Sequence, residues 1–411
     1  MEKNKKRICV LSDGPHLPTG YSNQMKQLVM AFTKSGHEVT WLANAYNGAT
    51  MDGIKLTDGT EIKCKIYGSM GQTYFRDQIS KHLKETKADI FIILLDTFML
   101  YPWLIDIDLS PAKSFFYFPS DGGGCLPKGC EAVLKKVDVP VAMAKFGQKQ
   151  VGDYYQIKAE HIPHGCDTKR FHPLTDKKKL KLKEANGFKD KFVIGVVARN
   201  QPRKNLDRTI KSMRLIADRI PNAILFLHLD PNDPAQPMFR INSLVEKYNL
   251  QNRVVYSGME AFKGFGWDKM NDIYNLMDCF LLTTSGEGFG IPIIEAMACG
   301  VPVVATDYTT TPELVKAHNA GLGIKLSGVE ELDMFSMSSQ DYDKASFNGT
   351  MTGSWEVERG FCDIEDCADK IEMLFKYPMM RKDMGKNGRE AVLKYYDFDI
   401  VAAQWEKLIN E

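Results

Sequence analysis

The chain has 411 residues, 44% hydrophobic and 26% charged, ample for sizeable cores without disulfide staples. Its 53 Lys and Arg against 52 Asp and Glu leave a net charge of +1, so no global basic field recruits nucleic acid or anionic lipid. Nine cysteines, an odd number scattered from Cys9 to Cys367, read as reduced thiols, and the longest clean apolar run, Ile90–Leu95, is far short of the ~20 residues of a membrane span. The apolar stretch after Lys3–Arg7 is too short for a signal-peptide core. A cytoplasmic globular protein is therefore expected, and secreted, membrane-spanning, collagenous and disordered classes are excluded.

Arg7–Leu11 is a short apolar, β-branched run without polar alternation, the pattern of a strand buried on both faces. A polar loop and a helical pattern over Ser22–Lys34 follow, then strand patterns at Glu38–Leu42, Ile90–Leu95, Ser114–Phe118 and Val139–Ala142. Phe171–Asp176 and the Lys-rich Lys177–Lys183 interrupt the alternation and read as a linker with one short solvated helix. The series then restarts: strand Phe192–Ala198, helix Asn205–Arg219, and strands Ala223–Leu227, Arg253–Tyr256, Cys279–Leu282 and Val301–Ala305. Ser327–Gly353, rich in Ser, Asp, Gly and Met, reads as a long loop or small insertion. The tail Ile371–Glu411 is helical, with Trp405 and Leu408 at apolar spacing. Two strand–helix series predict an α/β protein of two Rossmann-like, doubly wound parallel-sheet domains, over 1–175 and 190–390, facing a cleft. Ligands of such sheets sit beyond the carboxyl ends of the strands, where strand order reverses.

The loops after strands carry the unusual residues. Cys279–Leu282 leads into Gly286, Glu287, Gly288, Phe289 and Gly290, and Pro292 marks the first turn of a helix. The glycines let the backbone approach a ligand, and the free N–H groups at the helix start, near Ile291, favour a phosphate. Glu287 and Glu295, eight positions apart, are carboxylates that would accept hydrogen bonds from hydroxyls, one on a sugar and one on a ribose. The plain alternative is a tight turn with Glu295 complementing the helix dipole. Arg199 leaves the end of strand Phe192–Ala198 and Lys204 opens the next helix, so two cations reach the same sheet edge and could neutralise a diphosphate as its bond to a sugar breaks.

On these residues the chain resembles the retaining glycosyltransferases of family 4, which have the GT-B fold and the Glu-x7-Glu signature seen here as Glu287 and Glu295. The resemblance extends to Ile162–Phe171, to Arg199 with Lys204, and to Pro302–Thr306 with Pro312 and Glu313. It implies a nucleoside-diphosphate sugar held mainly by the second domain, an acceptor held mainly by the first, and transfer with retention of anomeric configuration. By the family pattern Arg199 and Lys204 contact the diphosphate. Glu287 and the backbone of Gly288, Phe289, Gly290 and Ile291 meet sugar and phosphate, and Glu295 the ribose. The last helix, about 393–411, would cross back over the first domain. The base would be met by backbone near Leu229 and Asp230 and from Tyr256 to Gly258.

In the first half, Leu11–Ser22 follows a strand and opens a helix. It resembles the family's glycine-containing cleft loop, with Gly20 toward the donor phosphates and Asp13 or Tyr21 toward the acceptor; the usual double glycine is replaced by Thr19 and Gly20. The same segment also fits a plain turn capped by Ser22. After Ser114–Phe118, where many relatives carry a histidine, this chain offers Ser120 and Asp121. Asp121 would take the acceptor's proton or orient its hydroxyl, or belong only to a glycine-rich turn. Asp106 with Asp108, Asp397 with Asp399, and the pairs Cys125/Cys130 and Cys362/Cys367 are too common or too loosely spaced to predict a metal. His16, His164 and His172 read as loop or core histidines.

The expected activity is metal-independent transfer of a sugar to an unidentified hydroxyl acceptor, with no cofactor beyond the donor. Catalysis would rest on Asp121, Glu287, Lys204 and Arg199. Two alternatives keep the donor pocket: a noncatalytic sugar-nucleotide-binding protein, and a glycosyltransferase acting on nucleic acid, for which Lys177–Lys183 would supply the local phosphate contact.

Overall fold

The computed structural model describes residues 5–56, 59–71, 73–101, 103–124, 126–232, 239–259, 267–333 and 356–411. In the first half the strands are β1 (Arg7–Asp13), β2 (Glu38–Asn44), a small pair β3 (Ile54–Lys55) and β4 (Glu61–Ile62), β5 (Lys65–Gly68), β6 (Ile90–Ile93), β7 (Lys113–Phe118), β8 (Val139–Ala142) and β9 (Glu160–His161). In the second they are β10 (Phe192–Val197), β11 (Ala223–His228), β12 (Val254–Tyr256), β13 (Cys279–Leu282), β14 (Val303–Thr306), β15 (Gly321–Ile324), β16 (Leu326–Asp333) and β17 (Glu356–Cys362).

Two separate sheets form. The first has seven parallel strands in the order β5-β2-β1-β6-β7-β8-β9, and the second six in the order β12-β11-β10-β13-β14-β15. Five of the seven residues of β1 are buried, and all of β6, β11, β13 and β14, because helices cover both faces. Strand order reverses between β1 and β6 in one sheet and between β10 and β13 in the other. The loops leaving those strands diverge there and open a crevice.

Local chemistry moves several boundaries. The first helix spans Gly20–Lys34, starting two residues before Ser22, because Thr19 is the cap: its Oγ1 accepts the Ser22 N–H, while Ser22 Oγ donates to the Gly14 carbonyl. Strand β14 starts at Val303, since Val301 donates its N–H to the Ala296 carbonyl and so closes the preceding helix. The Lys-rich run lies in a helix, Asp176–Ala185, that is not wholly solvated. Lys183 ion-pairs with Asp278 and Lys179 donates to the Met277 carbonyl at 3.0 Å, fastening the linker to the second domain. Ser327–Gly353 begins as strand rather than loop: β16 pairs antiparallel with β17 in a two-stranded ribbon, and 334–353 lie outside the described residues.

The tail forms helices Ile364–Lys376 and Pro378–Ala391, a π-helical turn Val392–Tyr396, and a last helix Phe398–Asn410. That last helix packs on the Gly20–Lys34 helix of the first domain. Trp405, fully buried, sets its ring edge-on to Tyr117 of β7 at 5.1 Å, and one apolar cluster continues through both sheets around it. Glu313 takes the N–H groups of Lys145 and Phe146, at the start of the first-domain helix Lys145–Tyr155, at 3.2 and 3.0 Å. No helix among the described residues is long and apolar enough to cross a membrane.

Trp405→Ala is expected to destabilise the protein by roughly 3–5 kcal/mol in urea unfolding. Trp405→Phe costs less, because the buried indole Nε1 has no partner among the described residues; equal losses for the two would contradict this packing role.

Candidate active site

The loops at both strand-order reversals meet along one seam between the domains, here called the crevice, where Arg203 pairs with Asp121 and Gly20 lies against Ile291. From the second sheet, the loop after β10 carries Arg203 and Lys204, and the loop after β13 carries Glu287. Glu287 is only 3% exposed and holds two cations: Lys204 Nζ lies 2.6 Å from Oε1, and Arg203 Nη1 2.8 Å from Oε2. A carboxylate removed from water keeps its charge only when paired in this way. Burial works to raise its pKa, but Arg203 and Lys204 overcome that and hold it at about 2. Lys204 is lowered to about 8 by burial and by the adjacent Arg203, against the pull of Glu287. Burial opposes the charge of Arg203 too, yet Glu287 and Asp121 raise its pKa above the ordinary value.

The surrounding loop is built to keep Glu287 in place. Thr309 Oγ1 accepts the Glu287 N–H at 3.0 Å, and Thr310 Oγ1 donates to the carbonyls of Glu287 and Phe289. Gly290, at φ +102°, adopts a left-handed conformation that turns the chain into the helix Ile291–Ala298. The other two glycines answer to protein contact. A Cβ on Gly286 would sit 1.8 Å from the Asp121 carbonyl, and one on Gly288 would sit 2.5 Å from Pro119 Cβ. Protein packing by itself requires Gly286 and Gly288 to lack side chains, because the loop after β7 lies against them.

Glu295, one turn into the helix, has a different environment. It accepts the Tyr274 hydroxyl at 2.6 Å, and burial raises its pKa to about 7 against that hydrogen bond. Phe289 turns its ring inward, buried against His164 at 5.2 Å and Tyr396 at 6.1 Å. Ile291 reaches across to the first domain, where a Cβ on Gly20 would lie 3.0 Å from its Cδ1.

On the first-domain side, Asp13 ends β1, accepts the Thr19 hydroxyl at 2.6 Å, and feels the charge of Arg199; burial raises its pKa. Tyr21 donates to Asp96, in the loop beyond β6, at 2.5 Å. Burial lifts Asp96 to about 6, with that hydrogen bond opposing, and Asp121 and Arg203 are among the charges acting on it. Asp121 lies between two guanidinium groups, 3.6 Å from Arg203 Nε and 3.3 Å from Arg359 Nη2. Ser120 is not turned toward the crevice: it is 3% exposed, and its hydroxyl donates to Gln150.

Arg203, Asp96 and Arg359 were not singled out from the sequence. Arg203 stands beside Lys204 in the same motif, and its adjacency was the available signal; Asp96 only ended an apolar run, and nothing marked Arg359. Of the acidic doublets, Asp397 caps the last helix by accepting the Asp399 N–H, and Asp108 accepts the Ser110 N–H in a loop turn. Cys130, Cys362 and Cys367 are buried, Cys125 lies outside the described residues, and among the described residues no three acidic, Cys or His side chains group to hold a metal ion. His164 is a core residue, bonded to the Tyr117 hydroxyl at 2.8 Å.

Residues 178–333 match the family described as glycosyl transferases group 1. Over 181 residues the chain is 30% identical to mannosylfructose-phosphate synthase of Agrobacterium fabrum, covering 42% of this chain and 38% of that one. Over 193 residues it is 28% identical to the lipopolysaccharide core biosynthesis mannosyltransferase LpsB of Rhizobium meliloti, covering 47% and 52%. The aligned part thus spans about half or less of these relatives. Whole-chain likeness comes from structure. Sucrose-phosphate synthase from Thermosynechococcus elongatus superposes with TM-score 0.74 at 18% identity, over 99% of this chain and 98% of that one. A glycosyltransferase from Rickettsia africae gives 0.70, also at 18% identity, over 99% and 98%. The fold is GT-B.

Glu287→Gln should destabilise the fold by roughly 3–5 kcal/mol, because it leaves the buried Lys204 without its ion-pair partner and Arg203 with Asp121 alone. Inorganic pyrophosphate should restore part of the loss, as a substitute counter-ion. Denaturant unfolding with and without pyrophosphate checks both; an unchanged midpoint would contradict the role given to Glu287.

Proposed function

We propose that the protein is a retaining glycosyltransferase that moves a sugar from a nucleoside-diphosphate sugar to a hydroxyl acceptor, with no metal ion in the reaction. The observation that carries this reading is the buried Glu287 between Lys204 and Arg203, in front of the helix Ile291–Ala298 and at the point of strand-order reversal. An anion meeting that edge finds cations and a helix amino end together. Relatives named as mannosyltransferases, and a solved neighbour from Anabaena bound to UDP-glucose, make GDP-mannose and UDP-glucose the first donors to test.

In the proposed reaction the bond between the anomeric carbon and the phosphate oxygen breaks, its electron pair leaving with the diphosphate. Lys204, Arg199 and the helix amino end stabilise that leaving charge. The acceptor oxygen bonds to the anomeric carbon on the same face, and its proton passes to the departing phosphate oxygen, so configuration is retained. Glu287 holds Lys204 and takes a sugar hydroxyl, Glu295 takes a ribose hydroxyl, and Gly20 keeps the first-domain wall close to the phosphates. Asp13 or Tyr21 meets the acceptor, and Asp121 orients its hydroxyl for that proton transfer. A noncatalytic sugar-nucleotide-binding protein is the second reading, supported by the engagement of Ser120 and Asp121 with protein partners. Slow release of free nucleotide from a donor separates the two, since only the transferase produces it. The engagement of Lys179 and Lys183 with the second domain weighs against a nucleic-acid acceptor.

Thermal-shift screening of nucleotide sugars, followed by nucleotide-release assays on the hits, tests the reading directly. Lys204→Ala and Glu287→Ala should each lower turnover by about 100-fold or more; folded variants turning over at the wild-type rate would remove both roles. Affinity for UDP or GDP should rise through about pH 7 as Glu295 ionises and fall above about pH 8 as Lys204 loses its proton. Calorimetric titration across that range checks this; a flat profile would count against both residues as nucleotide contacts.

A further inference from the structure

The ribbon β16–β17 is an excursion from the second domain that ends on the first. Val357 of β17 is 1% exposed and packs in the first domain's own apolar cluster with residues such as Phe116, Phe118 and Val133. The Gly123 N–H donates to the Glu358 carbonyl at 2.8 Å, and Tyr308 donates to Glu358 Oε1 at 2.6 Å. Next to these anchors in β17 stands Arg359, 2% exposed. Its Nη1 donates to the Asp121 carbonyl and its Nη2 to Asp121 Oδ1 at 3.3 Å, while Nε has no partner among the described residues. Arg359 lies beyond the 178–333 family match.

A buried guanidinium is expensive to keep unless its partner is fixed in return. Here the grip is on both main chain and side chain of one residue, which sets the direction of the Asp121 carboxylate as a single hydrogen bond would not. Gly286 is bare beside this contact, with its virtual Cβ 1.8 Å from the Asp121 carbonyl and 3.0 Å from Arg359 Nη1. Charges then alternate without a break from Arg359 to Asp121, Arg203, Glu287 and Lys204.

We infer that Arg359 is a positioning residue for the transfer reaction, and that the ribbon completes the site by aiming Asp121 at the crevice and, through Arg203, steadying Glu287. The inference rests on the glycosyltransferase reading above. Its content beyond that reading is that a segment outside the family-matched stretch carries part of the machinery. Asp121 turns over the acceptor only when Arg359 holds it, so the two act as one unit.

The test compares Arg359→Ala, Arg359→Lys, Asp121→Asn and the double variant Arg359→Ala with Asp121→Asn, using nucleotide release from UDP-glucose and GDP-mannose in the presence of hydroxyl acceptors. Arg359→Ala and Asp121→Asn should each lower kcat by about 10-fold or more with donor KM changed less than about 3-fold, and the double variant should be no worse than the poorer single one. Arg359→Lys, which keeps the charge, should recover part of the loss. Tyr308→Phe removes a hydroxyl from Glu358 and leaves Asp121 alone, so it should keep kcat within about twofold. A kcat loss in the double variant equal to the product of the single losses overturns the assignment. So does a loss shared by Tyr308→Phe, which would mark the ribbon as domain fastening only. A wild-type chain that binds and turns over none of the donors overturns the functional reading, and the assignment with it; a working wild type with an unaffected Arg359→Ala overturns the assignment alone.

Discussion

Glu287 is withdrawn from water and carries a full charge, which sets a strict condition on everything near it. The counter-charges must come from outside its own loop, because its immediate chain neighbours are glycines. They come from Arg203 and Lys204, on the loop that leaves an adjacent parallel strand. The ion cluster therefore exists only when β10 and β13 are side by side and the loops after them are held at fixed height. Thr283 and Thr284 supply that height by donating to the carbonyls of Lys204, Asn205 and Arg203. A small displacement of either strand would leave a buried charge alone, so fold and site stand or fall together.

The same condition reaches the first domain. Gly286 and Gly288 have no side chains, and Pro119, Ser120 and Asp121 occupy the room this leaves. Asp121 then faces Arg203 from across the seam, and Arg359 closes on Asp121 from the ribbon. Trp405 and Phe289 keep the apolar side of the seam continuous, with His164 neutral between Tyr117 and Phe289 because burial lowers its pKa to about 3. Contact between the two domains is thus polar at the crevice and apolar behind it. The crevice side depends on ion pairs that a phosphorylated ligand would compete for, whereas the apolar side has no reason to respond to one.

Much of the architecture was legible because buried parallel strands announce themselves. Runs such as Cys279–Leu282 and Val139–Ala142 have no polar alternation, and their observed bounds are those read from the sequence. Boundaries drifted where a cap or a missing donor decided them, as at Thr19 and at Val301–Pro302. The Lys-rich helix looks solvated in sequence because charge runs usually are. Which of its lysines would find Asp278 and the Met277 carbonyl depends on how the helix lies on the second domain, and no periodicity encodes that.

For the candidate site, local spacing places Glu287, Glu295, Lys204 and the Gly290 turn in the loops at one sheet edge, since a strand, a glycine loop and a helix start are consecutive in the chain. The sequence by itself determined the two parallel-sheet halves, the loops that must lie at their carboxyl edges, and the residue types those loops present. Only the tertiary structure decided that Arg203 shares Glu287 with Lys204, that Ser120 turns inward to Gln150, that two of the glycines make room for protein, and that Arg359 reaches Asp121 from 238 positions away. The physical reason is range: propensity and capping act over a few residues, whereas charge pairing and steric fit act over a few ångströms, whatever the separation along the chain.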